Sequence, residues 1–129
     1  MPPTAKWLGA ATGERRDFVV MVYVPSQERD GTSLDHEYWL RQTLEVMTEL
    51  FGGATATLCE GAWRDDDQGG QIKREKVSTV ESYMPKSQWN STNAKALAGF
   101  LHRMGREARQ GEIGLLVDHE YFPIREYTI

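Results

Sequence analysis

Residues 54–83 read ATATLCEGAWRDDDQGGQIKREKVSTVESY. Two extended runs, 54–64 and 71–83, flank Asp65-Asp66-Asp67-Gln68-Gly69-Gly70. Threonine, valine and aromatic residues in the runs fit a pleated strand. Three adjacent like charges repel and two glycines free the backbone, so the centre is a turn. The stretch is therefore a long hairpin with a charged tip that projects past its sheet. In its first strand Leu58, Glu60 and Ala62 share one parity; Thr57, Cys59, Gly61 and Trp63 share the other. Which parity faces the core stays open at this level.

Upstream, residues 17–24 (DFVVMVYV) are almost wholly apolar. Such a strand is central and covered on both faces, or lies at an interface. Pro25 ends it. A helix follows, with Thr32 or Ser33 as its cap and Asp35 and Glu37 in its electropositive first turn. Leu40, Leu44, Met47 and Phe51 recur at helical spacing, with Thr43 and Leu50 beside them, and Gly52-Gly53 closes the helix.

Downstream, residues 84–90 form a loop with Pro85 and Trp89. A second helix is expected over 92–110, capped from Asn90, Ser91 or Thr92 and stopped by Gly111. Its stripe is Ala94, Leu97, Ala98, Leu101, Met104, Gly105 and Ala108. The small members of that stripe allow close approach to a sheet. Residues 113–117 begin a last strand, and Asp118-His119-Glu120 is a tight turn or bulge before Tyr121, Phe122 and Ile124.

The order strand, helix, strand, strand, helix, strand predicts an α+β fold. It is that of a ferredoxin-like βαββαβ sandwich, a four-stranded antiparallel sheet with two helices on one face. Right-handed crossovers put the first and third strands at the centre. A related sheet with a rearranged final hairpin is the alternative. Residues 1–16, with Pro2, Pro3, Gly9 and Gly13, read as a flexible N-terminal arm, and 17–129 as a single domain. Trp7 and Leu8 are the residues that would dock the arm.

Composition narrows the function classes. The 129 residues fit one domain, which buries roughly two thirds of its extended surface without staples. One cysteine excludes a disulfide scaffold and a cysteine-built metal knuckle. Cys59, inside an alternating apolar run, reads as a buried structural thiol. A net charge of −4 disfavours a whole-surface nucleic-acid binder. No segment reaches the ~20 apolar residues of a membrane span, and the first residues lack a signal-peptide layout. The expectation is a cytoplasmic protein.

Asp-His-Glu-Tyr occurs twice, at 35–38 and 118–121. These residue types serve oxygen/nitrogen metal sites and acid–base chemistry. The topology places the two copies at opposite poles of the sheet, so a helix cap and a polar turn are the simpler account. No phosphate loop, serine elbow or zinc-protease helix is present, and neither a metal nor a cofactor is expected. Lys95, His102, Arg103, Arg106 and Arg109 make the second helix basic on one side, which reads as a solvated face.

Helices on one side leave the other sheet face open, and six aromatic residues (Trp7, Trp63, Trp89, Tyr83, Tyr121, Phe122) lie on strands or loops. The expected solution is a binding or interaction protein that self-associates through that face. The alternative is a small dimeric enzyme with a pocket at the face or a subunit junction, its acids and bases drawn from His36, Glu60, Glu81 and His119. Tyr23, Trp63 and Tyr83 are the candidate residues for a small-molecule ligand. A nucleic-acid-associated protein using the second helix is a lower alternative.

Overall fold

The computed structural model describes residues 6–11, 15–28 and 30–128. Five strands form one antiparallel sheet in the order β2-β3-β1-β4-β5: β1 (Phe18–Pro25), β2 (Thr55–Asp65), β3 (Gln71–Met84), β4 (Ile113–Val117) and β5 (Glu120–Ile124). Helices α1 (His36–Phe51) and α2 (Ser91–Glu107) supply the second layer. The first four strands take the expected order, with β1 and β3 at the centre.

The sheet has five strands, not four. Residues 118–119 turn the chain so that β5 pairs with β4, from Val117↔Glu120 to Ile113↔Ile124. Asp118 adopts a left-handed φ of 55° at the turn, and its N–H donates to the Val19 carbonyl at 2.7 Å. Pro123 sits within β5, which an edge strand tolerates because one side needs no donor.

Strand β1 alternates strictly. Phe18, Val20, Val22 and Val24 are buried toward the helices, and Val19, Met21 and Tyr23 are half-buried on the other face. From α1, Trp39, Thr43, Met47 and Phe51 are the buried line, so Leu40 and Leu44 flank the stripe. From α2, Leu97, Phe100, Leu101, Met104 and Gly105 are buried.

The ends of the helices differ from expectation. Asp35, not Thr32 or Ser33, caps α1 by accepting from the Tyr38 N–H at 3.1 Å. A Gln27↔Ser33 bridge and a bond from the Leu34 N–H to the Ser26 carbonyl hold the preceding segment as a loop. Gly52 stops α1 in the left-handed position, as expected. Asn90 caps α2 by accepting from the Asn93 N–H at 2.9 Å. That helix ends at Glu107, and Arg109, with φ 51°, turns the chain before Gly111 is reached.

The hairpin pairs from Thr55↔Glu81 to Asp65↔Gln71. Its β2 strand buries neither parity. It is an edge strand that α1 meets much less than it meets β3, so Leu58 is 65% exposed although it points to the helix side. Trp7 and Leu8, expected to dock the arm, stand 81% and 75% exposed. Among the described residues no helix is long and apolar enough to cross a membrane.

Candidate functional site

The strand registers fix what the open face carries. One row across the sheet runs Thr55, Glu81, Met21, Leu116, Tyr121, and the next runs Thr57, Thr79, Tyr23, Gly114, Pro123. Beyond them lie Cys59 and Val77 on one side, Tyr83 and Val19 on the other. Glu81 is the one charged residue in these rows. It stands at the middle of an apolar and aromatic surface, half-buried by its neighbours.

One glycine shapes the aromatic part. A Cβ on Gly114 would lie 2.7 Å from the Tyr121 hydroxyl oxygen and 2.9 Å from the Tyr23 ring. Its absence lets the two tyrosines meet edge to face across β4, with ring centroids 5.9 Å apart. The Tyr121 hydroxyl donates to Glu112 at 2.7 Å, and Arg125 holds the other oxygen of that carboxylate at 3.0 Å. Burial, then the adjacent Glu112 carboxylate, pushes the Tyr121 phenol well above its ordinary value. The phenol therefore serves this face as a neutral group.

The candidates read from the sequence divide between the two faces. Tyr23, Trp63, Tyr83 and Glu81 share the open face. Glu60 does not: it has the opposite parity and accepts from Arg74 at 2.7 Å on the helix side. A groove lined by both Glu60 and Glu81 is therefore excluded by the pleat. Trp63 lies four residues along β2 from Cys59, toward the hairpin tip and away from Glu81.

His36 lies outside the open face. Its Nδ1 is 2.9 Å from the Pro25 carbonyl and its Nε2 is 2.8 Å from the buried Ser78 hydroxyl. A carbonyl only accepts, so Nδ1 carries the hydrogen, and in the neutral ring Nε2 accepts from Ser78. The histidine ties α1 to β1 and β3. His119 is at the β4–β5 turn, its side chain 94% exposed beside Asp118. The two Asp-His-Glu-Tyr copies thus sit at opposite ends of β1, as the topology implied.

At the Pro25 end the face closes on Glu75, which accepts from the Ser26 N–H at 3.3 Å. Burial pushes this carboxyl up; the Ser26 and Gln27 N–H groups and nearby His36 pull it partly back. A raised folded-state value means the native state holds the proton more tightly than the unfolded chain. The stabilisation is full when the group is protonated and is lost as pH rises through the folded value. Glu75→Gln keeps an acceptor and removes the charge. It should raise the melting temperature at pH 7, and its advantage should vanish below about pH 4.5, the group's ordinary value. Thermal melts of both proteins between pH 4 and 8 check this; a constant difference contradicts it.

A cleft of about 560 Å³ lies at the same pole, lined by Glu28, Asp30, Arg109 and Gln110. Its polar groups answer one another. Arg109 faces Glu28 at 3.8 Å, Gln110 donates to the Gln27 carbonyl at 2.6 Å, and bonds from Thr32 hold Asp30 below its usual value. Among the described residues no three of His, Cys, Asp or Glu gather closely enough to hold a metal ion.

Part of the basic side of α2 is engaged by the chain itself, by the C-terminal segment at His102 and Arg106 and by α1 at Arg103. The Thr128 N–H donates to His102, Arg106 donates to the Tyr127 carbonyl at 3.2 Å, and Arg103 stacks 5.1 Å from the Trp39 ring centroid. Met21, Leu116 and Glu112 are site residues that sequence reading passed over. Alternation along β1 could have found Met21; Glu112 precedes its strand and gives no pattern.

No protein-family model and no curated protein matches the sequence. Among solved structures, a phage SAM lyase in complex with S-methyl-5'-thioadenosine superposes with a TM-score of 0.64 at 12% identity, covering 90% of this chain and 97% of that one. The phage SAM lyase in its apo state gives a TM-score of 0.60 at 12% identity, over 92% and 99% of the two chains. At that identity the likeness establishes a shared α+β fold.

Proposed function

We propose that this chain self-associates through the open face of its sheet and that the face holds a small organic cation, of the adenosyl-sulfonium type, around Glu81. The observation that carries the reading is Glu81, a carboxylate set among Met21, Tyr23, Tyr83, Leu116 and Tyr121, whereas Glu112 at the rim of the same face is already answered by Arg125 and the Tyr121 hydroxyl. A charge amid apolar groups is costly unless it is answered, and a cation is attracted by aromatic faces as well as by the carboxylate. The shared fold supports the ligand class, because the neighbour of like fold is a lyase for SAM and was found with a methylthioadenosine.

The reading extends to an enzyme that breaks the bond between sulfur and the amino-acid chain of that ligand: sulfur keeps the bonding pair and leaves as the neutral thioether, while the substrate's own carboxylate closes on the freed carbon to form a lactone. A sulfonium loses its charge as the bond breaks, so a surface of low polarity favours the transition state over the bound cation. Glu81 then contributes to holding the substrate. His36 and His119 stand away from this face, so the acid–base pocket of paired histidine and glutamate is not part of the proposal.

Light scattering at micromolar concentration should give a mass at a multiple of 14.7 kDa. Calorimetry should detect S-adenosylmethionine, and chromatography of the incubated mixture should detect S-methyl-5'-thioadenosine forming from it. A monomer that binds neither compound would overturn the reading.

A further inference from the structure

Strand β5 lies beyond the edge of the helix layer, and a furrow separates it from α2. The half of that furrow near the α2 C-terminus is filled. The chain leaves β5 at Ile124 and folds back, and the Tyr127 ring packs on Gly105, where any Cβ would collide with it. The Tyr127 hydroxyl donates to the Gln110 carbonyl at 3.0 Å. An aromatic residue over a small residue of α2 is thus how this fold closes the gap.

The other half is open. It is an apolar cavity of about 250 Å³ whose walls include Trp89, Ala94, Ala98, Val117 and Phe122. Ala98 and Ala94 repeat the small-residue arrangement of Gly105 about two and three turns earlier on the same helix. The open half ends beside Trp89, whose ring is 6.4 Å from Phe18, the first residue of β1. The N-terminal arm enters the domain at that point.

The arm carries Trp7 and Leu8, adjacent on one helical turn and the most exposed large apolar residues described. Leu8 stands ten positions before Phe18, a reach of up to ~35 Å. The stretch of α2 from Ala94 to Leu101 is only ~10 Å long, so the segment can reach any part of the open half. We infer that residues 6–8 of the same chain form a latch, with Trp7 seated in the open half of the α2–β5 furrow over Ala94 and Ala98. The docked arm buries an aromatic side chain that water otherwise surrounds, and mirrors at the chain's beginning what Tyr127 does at its end. This inference is independent of any ligand on the opposite face of the sheet.

Lys6→Cys and Ala94→Cys, introduced into a Cys59→Ser background, test it under mild oxidation. The expected product is a disulfide within one chain, identified by mass after digestion. Adding Trp7→Ala should slow its formation by about tenfold or more, the factor that burial of one aromatic side chain supplies. Adding Ala98→Leu, which fills the furrow and leaves the arm intact, should slow it similarly. Equal rates with and without Trp7 would overturn the latch. A disulfide joining two chains would overturn it in favour of an arm exchanged between copies.

Discussion

Glu81→Gln should weaken binding of S-adenosylmethionine about 10- to 100-fold and leave binding of S-methyl-5'-thioadenosine within about threefold. The range corresponds to the ~1.5–3 kcal/mol typical of an interaction with a charged partner. The two compounds share the methylthioadenosine part; the first also carries an amino-acid chain on sulfur, which makes the sulfur cationic and adds an ammonium and a carboxylate, so the cations that Glu81 can attract are present only in the first. The substitution is nearly isosteric and removes only the charge, so it separates electrostatic attraction from the fit of the pocket. Glu81 pairs with Met21 on one side and Thr55 on the other, on an exposed sheet face, so the fold should not depend on it. Titration calorimetry at two salt concentrations is the measurement. Equal weakening of both compounds would mean that Glu81 shapes the face rather than recognising charge. No weakening would place the ligand elsewhere.

Trp39→Ala should cost about 3–5 kcal/mol of stability, the range for removing a buried aromatic residue. Trp39 is 6% exposed. Its ring lies edge-on to Tyr38 at 5.0 Å and 6.3 Å from Phe100 of α2, with the Arg103 guanidinium over its face. It is therefore a main contact between the two helices, and its loss leaves a cavity no neighbour can fill without moving α1. Trp63→Ala is the control. Trp63 is half exposed on an edge strand, and its loss should change stability by less than about 1 kcal/mol. Urea unfolding of the three proteins compares them; similar midpoints for the two variants would contradict the packing assignment.

The contrast between these tryptophans marks where sequence reading stops. Each sits in an element that was identified from its pattern. In α1 the positions 40, 44, 47 and 51 make a good stripe, and so do 39, 43, 47 and 51, because helical neighbours three and four apart share a face. Only the position of the sheet and of α2 selects the second. In β2 the pattern offered two parities and the answer is neither, because β2 is an edge strand that α1 meets much less than it meets β3. The fifth strand was visible as a turn with apolar residues after it, but Pro123 resembles a strand breaker until the strand is known to be an edge. Asp35 took the cap from Thr32 and Ser33 because a bridge to Gln27 holds those residues in the loop.

The candidate site was legible in part for the same reason. Alternation is a local property, so Tyr23, Glu81, Tyr83 and Trp63 could be assigned to strands without coordinates. Whether Glu60 shares a face with Glu81 depends on the register between two strands, which the turn at residues 66–70 sets. The pairing of Tyr23 with Tyr121 depends on three strands and on the missing Cβ of Gly114 between them.

By itself the sequence determined the elements, their order, the central place of β1 and β3, and an open sheet face. These follow from periodicity, turn chemistry and the handedness of crossovers, all of which act over short stretches of chain. Of the six aromatic residues that pointed to that face, Trp63, Tyr83 and Tyr121 lie on it, whereas Trp89 and Phe122 lie on the helix side. Tertiary structure alone decided the fifth strand, the separation of Glu60 from Glu81, the structural use of His36, and the placing of Glu81 among apolar and aromatic residues of the open face. Each of these depends on which distant residues lie side by side. That is fixed by the packing of two layers and the register of paired strands, and no local pattern records it.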